Sequence, residues 1–578
     1  MLSKTRYLLL AFVLMLIFAV VGCSNNDDGN DASSNNGGET NSSEGKNGNN
    51  EVEDEGPGEL VTFDFFNAHK PYTDINTADT VIGKMFEEAT GVNFDIEHIV
   101  GDVNTKIGTM IASGEYPHLM NAEQATDQVI SAGGYRPLND LIDEHAPNIK
   151  KLFEPYLDLM EHDDGNIYVI PSGANHGYVQ EPNTNQGAYW VQRRVLKEFD
   201  YPELKTFDDL LDLIEAYVEK YPEVDGKKTI GFTGLTYDWR FFAFSNQPMH
   251  LAGYPNDGEV FVDMETHEVE VYTDREENKR FLKAMNDLNQ KGLLDPETFV
   301  QNYDEYLAKI SNGQAVAFFD YKWQVGQAFD NLEQGDDPYL EYMGFPLVFE
   351  EGIKDQYMDP PGFVASPGLG ITVSATDEEA VRIIKFLDHL AKEENTILVT
   401  WGIEDETYTV KEDGTFTRSE ELIIKTQDQD FRDEFGFSYF EWNWLRRSGM
   451  LSDGINPVEP PHAPEIAYLM YDDTDREFLD AYGLEIFTDN FAEPDERPWF
   501  PAWDTHIEQG SEAQIFEQRA DDLRKSSYPK LVMADPSDFD AEWDKFVEEF
   551  QSLDFAAYEE VLENGVKRSM EIHEAKQN

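Results

Sequence analysis

The sequence has one cysteine, few basic residues and only one long apolar run. One cysteine among 578 residues excludes a disulfide framework within the chain and a cysteine-rich metal site. The 44 Lys and Arg residues face 115 Asp and Glu residues, so the formal net charge is −71. Such a charge repels phosphate backbones, and we expect no nucleic-acid partner. A mean hydropathy of −0.55 excludes a polytopic membrane protein.

What is present is enough apolar material for a large folded protein. Apolar residues make up 40% of the chain and aromatic residues 13%. At roughly 150 residues per domain, the length corresponds to about three or four domains, or to two large ones.

The N-terminus carries the apolar run and the cysteine together. Lys4 and Arg6 precede an apolar stretch over 7–21, which is too short for a typical membrane-spanning helix. The stretch ends in the sequence VVGC at 20–23, the pattern of a bacterial lipobox. It predicts cleavage before Cys23, with diacylglycerol on the thiol and an acyl chain such as palmitate on the new terminus. The alternative is an ordinary secretory signal with a chance cysteine.

The next segment, up to residue 58, is rich in Asn, Ser, Gly, Asp and Glu. It has too few apolar residues to offset the entropy of ordering, so we expect a flexible tether. A lipid and a tether together place the folded part at the outer face of the cell membrane.

Beyond the tether, strand and helix patterns alternate. Early strands are expected at 60–66, 92–100 and 118–120, with helices at 77–89 and 105–113 between them. This order predicts an α/β unit with a mostly parallel sheet. Later segments are expected as helices at 204–221, 376–391 and 539–550, and as strands at 315–319 and 369–374.

Several short motifs occur in the order found in one family. They are ASGEYPH (112–118), GYRPLNDLI (134–142), the segment 190–199, GQAVAFF (313–319) with Trp323, and WGIEDETY (401–408). The chain resembles the extracellular solute-binding proteins of ABC importers, and within them the large carbohydrate-binding lipoproteins (family 1). The resemblance covers about residues 59–574, and the block at 401–408 is its most specific part.

The resemblance implies a two-lobed α/β fold of the periplasmic-binding-protein type (type II), with a hinge and a ligand cleft between the lobes. It implies capture of an oligosaccharide and its delivery to the permease subunits of an ABC importer, by a monomer and without a cofactor. The expected organisation is a signal peptide (1–22), lipidated tether (23–58), first lobe (59–185 and 366–440), second lobe (186–365), and helical segments that complete the second lobe and hinge (441–578).

One departure from the family concerns metal. Relatives often carry a calcium-binding loop after a long helix, and the corresponding run here is 221–230. Gly226 is kept, but Tyr221 and Ile230 stand where the loop needs acidic residues. Calcium needs about six or more oxygen ligands, and without acids at these two positions the loop supplies too few. We therefore expect no metal here.

Sugars need aromatic faces for their C–H patches, and carboxylates, amides and arginines for their hydroxyls. Ligands of this fold bind beyond the carboxyl ends of strands, so we select residues that follow strands, polar turns and C-terminal aromatic clusters. The candidate ligand-binding residues are Asn67, His69, Asn121, Glu123, Trp239, Arg240, Tyr321, Trp323, Trp442 and Trp499. The alternative for each tryptophan is a place in the core, and Trp401 is expected to be structural.

Enzyme motifs are missing from the sequence. It contains no HExxH, no GxSxG and no Walker A sequence, so we expect no enzyme and no ATP hydrolysis by this chain. A carboxylate pair of the glycosidase type is not excluded by counting, because acids are so numerous. A binding protein for peptides or another non-sugar solute, a secreted carbohydrate-active enzyme, and a surface adhesin stay as alternatives.

The acidic surface has two interpretations. It is typical of proteins in high salt or an alkaline medium, where screening weakens self-repulsion. The other interpretation is an acidic face without ecological meaning. In either case anionic oligosaccharides are repelled at long range, which favours neutral sugars as ligands.

Overall fold

Two separate sheets organise the part of the chain that the structure describes. The structure is a computed structural model, and it describes residues 58–577 except 155, 163, 225, 264, 364–367, 442–443 and 509, with side chains through Glu574. The lipobox and the tether up to residue 57 lie outside the described residues.

The described strands are short, between two and seven residues. They are β1 (Val61–Asn67), β2 (Ile75–Asn76), β3 (Val92–His98), β4 (Leu119–Asn121), β5 (Ile170–Pro171), β6 (Gly173–His176), β7 (Gly187–Gln192), β8 (Glu223–Val224), β9 (Lys227–Lys228), β10 (Ile230–Thr233), β11 (Val260–Val262), β12 (Val269–Val271), β13 (Ala315–Tyr321), β14 (Tyr342–Phe345), β15 (Gly368–Ile371), β16 (Thr409–Val410), β17 (Phe416–Thr417) and β18 (Arg446–Gly449).

Helices contribute most of the described secondary structure. They are α1 (Val81–Thr90), α2 (Val103–Ser113), α3 (Thr126–Ser131), α4 (Asn139–His145), α5 (Pro147–Phe153), α6 (Arg193–Glu198), α7 (Phe207–Lys220), α8 (Phe242–Ser245), α9 (Gln247–Leu251), α10 (Glu276–Gln290), α11 (Tyr303–Ser311), α12 (Lys322–Glu333), α13 (Asp377–Leu390), α14 (Glu393–Thr400), α15 (Glu420–Gln427), α16 (Gln429–Phe435), α17 (Phe437–Phe440), α18 (Pro464–Met470), α19 (Asp473–Tyr482), α20 (Glu512–Met533), α21 (Phe539–Gln551) and α22 (Ala556–Gln577). Short 3-10 helices cover Thr77–Asp79, Glu123–Ala125, Leu157–Leu159, Asp238–Phe241, Pro338–Leu340, Pro460–His462 and Phe487–Asn490.

Local sequence signals explain where several helices begin and end. Helix α7 begins after Thr206 and α13 after Thr376, and both have the reciprocal capping box that pairs this threonine with an acid three residues later. Helix α1 ends at Gly91, whose φ of 68° needs a residue without a Cβ. These predicted helix boundaries are confirmed to within a few residues.

The first lobe is built on a mixed sheet with the order β2-β3-β1-β4-β15-β5. Strand β1 is parallel to both β3 and β4, as the alternating opening of the chain predicts. The expectation of a mostly parallel sheet holds for these three strands only. Strand β15 returns from far along the chain and pairs antiparallel with both β4 and β5, and β2 is an antiparallel edge.

The second lobe has a four-stranded sheet with the order β10-β13-β7-β14. Strand β13 is buried along its whole length, as is typical of a central strand whose two faces are both covered. Its neighbour β10 is parallel and β7 is antiparallel. A separate cluster near the C-terminus joins β11 and β12 to α20, α21 and α22, and α20 also packs on α10 of the second lobe.

The chain passes between the two cores more than once. The first core contains Ala174 and the second begins at Ala188; the second contains Met358 and the first resumes at Phe363. A later passage separates residues 444–467, which pack with the first lobe, from Phe478 of the second. Trp444 thus lies in the first core, beyond the predicted lobe boundary after residue 440. Among the described residues, no helix combines the length and apolar character needed to cross a membrane.

Candidate functional site

A cavity of about 1270 Å³ opens between the lobes. Tyr156 and Asn175 contribute its first-lobe wall, and Phe242 contributes from α8 of the second lobe. The linker 360–363 and the loop 493–507 close other sides, and residues of α20 and α22 complete the wall. Because both lobes line it, a bound molecule here would contact both, which is the requirement for ligand-driven closure.

Three aromatic rings form a platform at the second-lobe side. Trp239, Phe242 and Trp323 have parallel faces, within 4–9°, and their ring centroids are 5.9–6.2 Å apart in every pairing. Three rings in one column would place the outer two about 7 Å apart or more, so these rings lie side by side in steps. Trp239 is 58% exposed and Trp323 48%. The structure therefore brings together two residues selected from the sequence and adds Phe242, which lines the cavity.

Tyr321 supports the platform from below. It is buried, its ring lies 5.1 Å from Phe242 and 5.9 Å from Trp323, and its hydroxyl lies 3.0 Å from Nε2 of His250. The expectation that Tyr321 faces the ligand is therefore not met in this conformation. It ends the buried strand β13, so its side chain packs inward.

A buried carboxyl stands next to Tyr321. Asp320 accepts hydrogen bonds from the hydroxyl of Tyr306 (2.8 Å), the side-chain amide of Gln324 (2.7 Å) and the backbone N–H of Tyr321 (2.7 Å). Burial raises the pKa of Asp320 to about 7, although these bonds act in the opposite direction. Asp320 is thus a buried group whose pKa lies near neutral pH, next in sequence to the tyrosine that packs against the platform.

Arg240 holds Trp239 in place. Its guanidinium lies 4.6 Å from the Trp239 ring centroid and 4.1 Å from that of Tyr303, and it forms an ion pair with Asp238 at 2.5 Å. Two rings and a carboxylate occupy most of this side chain, which is 20% exposed. Arg240, selected as a ligand contact, packs in this conformation between the rings of Trp239 and Tyr303, and its role in binding stays a prediction.

The four first-lobe candidates form one polar cluster, defined here as Asn67, His69, Asn121 and Glu123. Parallel pairing places the ends of β1 and β4 side by side, so Asn67 is directly opposite Asn121. Oε1 of Glu123 lies 3.0 Å from Nδ1 of His69 and accepts from the amide of Asn121 at 2.9 Å. Both asparagines are buried, whereas His69 is exposed and Glu123 half-buried. The cluster therefore presents only His69 and Glu123 to a ligand.

Backbone strain marks three parts of the candidate site. Glu123 (φ 48°), Asp238 (φ 51°) and Phe500 (φ 42°) adopt the left-handed region, which costs a residue with a Cβ roughly 1 kcal/mol or more. Glu123 belongs to the polar cluster, Asp238 precedes the platform, and Phe500 lies between two cavity tryptophans. Strain of this kind is often concentrated at binding sites.

Trp499 lines the cavity and packs on the linker. A Cβ on Gly362 would lie 2.2 Å from the Trp499 ring, so this close approach needs a glycine. Trp499 also stacks on Phe500 at 4.2 Å. Nearby Trp503, which is 44% exposed, meets Phe242 edge-on at 5.6 Å and connects this loop with the platform.

Trp442 lies outside the described residues, and Trp401, with 0% exposure, is structural as expected.

The charged part of the cavity wall has no counterpart among the residues selected from the sequence. Arg497 pairs with Asp257 at 3.3 Å, and both side chains are fully buried. Arg524 pairs with Glu259. Burial raises the pKa of Asp257 despite Arg497. The partners in these pairs are more than 200 residues apart, so no local pattern indicates them.

The degenerate calcium loop forms a hairpin of β8 and β9, with Gly226 at a φ of 75° between them; its Asp225 is not described. Throughout the described part of the chain, no three His, Cys, Asp or Glu side chains converge as they would around a metal ion.

Comparison with known proteins supports the family resemblance. Residues 82–402, more than half of the chain, match the family described as bacterial extracellular solute-binding protein. The fructooligosaccharide ABC transporter substrate-binding protein FusA of Streptococcus pneumoniae is 29% identical over 281 residues, which cover 46% of this chain and half the length of FusA. The polygalacturonan/rhamnogalacturonan-binding protein YtcQ of Bacillus subtilis is 23% identical over 73% of this chain and 77% of its own.

Solved structures show the same two-lobed fold. FusA in complex with kestose superposes with a TM-score of 0.59 at 17% identity, over 88% of this chain and 99% of FusA. An HMO-binding, ABC-transporter-associated solute-binding protein from Bifidobacterium longum infantis gives 0.61 at 15% identity, over 89% and 99%. The predicted α/β fold with two lobes is confirmed, and the chain belongs to the bacterial extracellular solute-binding proteins.

Proposed function

We propose that this protein captures an oligosaccharide outside the cell and delivers it to an ABC importer, without changing it chemically. The observation that carries the proposal is the exposed platform of Trp239, Phe242 and Trp323, which continues through Phe242 into the interlobe cavity. Parallel aromatic faces in steps suit the C–H faces of successive sugar rings. The names of the relatives FusA and YtcQ contain a neutral and an acidic saccharide respectively, which supports a saccharide as the ligand but says nothing about its charge.

The proposed clamp uses one surface from each lobe. Trp239 and Trp323 stack on sugar rings, and Trp499 covers the linker side. From the first lobe, Glu123 accepts a sugar hydroxyl through Oε2, because its hydrogen bonds to His69 and Asn121 use Oε1. Closure of the hinge brings these surfaces onto the same molecule.

The test is a binding screen of the protein produced without its first 57 residues. Neutral mono- and oligosaccharides, peptides and buffer alone are compared by thermal shift, and each positive result is followed by calorimetry and product analysis. We expect at least one oligosaccharide to raise the melting temperature without product formation. Binding by peptides alone would replace the proposal with the peptide-binding alternative, and a sugar product would indicate an enzyme.

We also propose that the protein is anchored to the cell membrane by a lipid on Cys23, as a monomer on the outer face. The VVGC sequence at 20–23 supports this anchor. Cys23→Ala should release the protein into the medium, whereas Ser24→Ala, as a matched control, should not. Membrane-bound Cys23→Ala protein after a salt wash would contradict the anchor.

A further inference from the structure

The charges on the cavity wall bear on which saccharides enter, and this inference rests on the proposed function. Among the described residues, eight Asp and Glu side chains line the cavity against two arginines. The imbalance resembles that of the whole chain, but here the carboxylates lie within reach of a bound molecule. Charges at this range are screened much less by salt than distant surface charges.

Both arginines are already engaged. Arg497 is held by Asp257 and Arg524 by Glu259, and three of these four side chains are at least nine-tenths buried. An acidic group on a ligand would therefore compete with an existing carboxylate for either guanidinium. Breaking such a buried pair leaves a charge without its partner, which is strongly unfavourable.

Asp504 and Glu517 add negative charge without a countercharge in direct contact. Both line the cavity and are exposed to it, and within the described part of the chain neither forms an ion pair. Although both side chains face the open cavity, desolvation by the surrounding wall raises the pKa of Asp504 to about 7, with a contribution from the nearby Asp257, and it raises the pKa of Glu517. Above pH 8 Asp504 is therefore ionised, and both carboxyls lie in an environment that disfavours negative charge.

We propose that the cavity selects its ligand by charge: it accepts neutral saccharides and rejects uronic acids and other anionic ones. Asp504 and Glu517 are the specificity-determining residues. As ionised carboxylates they accept hydrogen bonds from sugar hydroxyls, and they repel a carboxylate on the same ring.

The experiment compares two ligands that differ only in charge. The best neutral oligosaccharide of the screen and its analogue with one primary hydroxyl oxidised to a carboxylate are titrated by calorimetry at pH 8.5, where histidines in general carry little charge. We expect the wild-type protein to bind the acidic analogue at least about ten-fold more weakly, since one like-charge contact suffices for that factor. Equal affinities would overturn the proposal.

The double variant Asp504→Asn, Glu517→Gln should reduce this difference to about three-fold or less, because the isosteric amides keep hydrogen-bonding capacity without charge. The control variant Glu412→Gln, Asp430→Asn removes two exposed carboxylates of the first lobe and changes the net charge by the same amount. It should leave the difference intact. An unchanged difference in the cavity variant, or an equal reduction in the control, would contradict the assignment to these two residues.

Circular dichroism and melting curves check that both variants fold. The wild-type comparison needs no variant, so the proposal stays testable even if a substitution destabilises the protein. If the wild-type protein binds no saccharide at all, both the proposed function and the proposed charge selection are contradicted. If the neutral and acidic analogues bind with equal affinity, the proposed function is supported and only charge selection is contradicted.

Discussion

The polar cluster of the first lobe and the aromatic platform of the second are both candidate sugar-binding surfaces, but they differ in how much of each is free to contact a ligand. Asn67, Asn121 and Glu123 bond one another and His69, so most of their polar atoms are committed before a ligand arrives. The tryptophans of the platform keep about half of their surface exposed. The polar cluster is preorganised and offers few free atoms, whereas the platform offers a large apolar area.

This difference indicates how the free energy of binding is divided between the lobes. Burying an aromatic ring removes a large apolar area from water, while a hydrogen bond to a sugar replaces one to water and contributes little net. We therefore expect affinity to come mainly from the second lobe, and orientation of the ligand from the first.

The largest expected effect is on the stability of the second lobe and concerns the buried carboxyl of Asp320. Its pKa is raised in the folded protein from 3.8 to about 7, so Asp320 favours folding at low pH, and this contribution is lost as pH rises through about 7. Between pH 8 and pH 5 the free energy of unfolding should increase by about 3 kcal/mol from this group. Urea unfolding at both pH values measures it.

The variant Asp320→Asn should remove that part of the pH dependence, while Glu412→Gln, which removes one exposed carboxylate, controls for net charge. The same pH dependence in Asp320→Asn and the wild-type protein would show that Asp320 does not titrate between pH 5 and pH 8.

The next largest expected effect is the loss of ligand affinity when a tryptophan of the platform is removed. Trp323→Ala and Trp239→Ala should each weaken binding of the best oligosaccharide by roughly thirty-fold, or about 2 kcal/mol, as expected for a stacking residue that carries much of the binding. Because both rings are half exposed, circular dichroism should show an intact fold. Tyr468→Ala, which removes an aromatic ring of 59% exposure elsewhere, should have no effect. Unchanged affinity in both tryptophan variants would move the stacking site to Trp499 or Trp442.

A smaller effect is expected in the polar cluster. Glu123→Gln should weaken binding about five-fold, or about 1 kcal/mol, because one hydrogen bond to a charged acceptor is replaced by a neutral one. Glu88→Gln, at an exposed position of α1, is the matched control. A loss larger than that of Trp323→Ala would reverse the division of roles between the two regions.

The smallest expected loss of affinity is that of Arg240→Gln, which tests whether Arg240 positions Trp239 or contacts the ligand itself. Arg240→Gln removes a cation next to Trp239 and Tyr303, a contact of about 0.5–1 kcal/mol, so affinity should fall only about three-fold. The emission of Trp239 should change in the free protein, since its neighbour is altered. A loss as large as that of the tryptophan variants, with unchanged emission, would mean that Arg240 contacts the ligand directly.

Much of the fold was predictable because its signals are local. The capping boxes at Thr206 and Thr376 and the left-handed Gly91 set helix boundaries within a few residues of sequence. The polar cluster was also accessible, since parallel neighbours β1 and β4 necessarily end side by side. Trp323 was selected for its position after a strand within a family motif, and the structure places it beside Trp239.

The remainder depends on contacts between distant parts of the chain. Strand β15 pairs antiparallel with β4, about 250 residues earlier, and no local pattern gives its direction. The pair of Asp257 and Arg497 is likewise invisible in the sequence. Phe242 resembles an ordinary core residue in the sequence, and only the structure shows its ring parallel to those of Trp239 and Trp323. Sequence patterns identify which residues suit a site, whereas the packing of the lobes decides which of them meet.

The contact between Trp499 and Gly362 gives the protein a built-in optical signal. The ring lies on the linker that connects the two cores, and the Asp359 carboxylate next to that linker accepts a hydrogen bond from the Trp499 side chain. Indole emission responds to nearby carboxylates and to water, so rotation of the lobes about this linker should change the colour and the intensity of Trp499 emission. A change in lobe orientation on ligand binding should therefore be measurable by the intrinsic fluorescence of the native chain, without an attached dye.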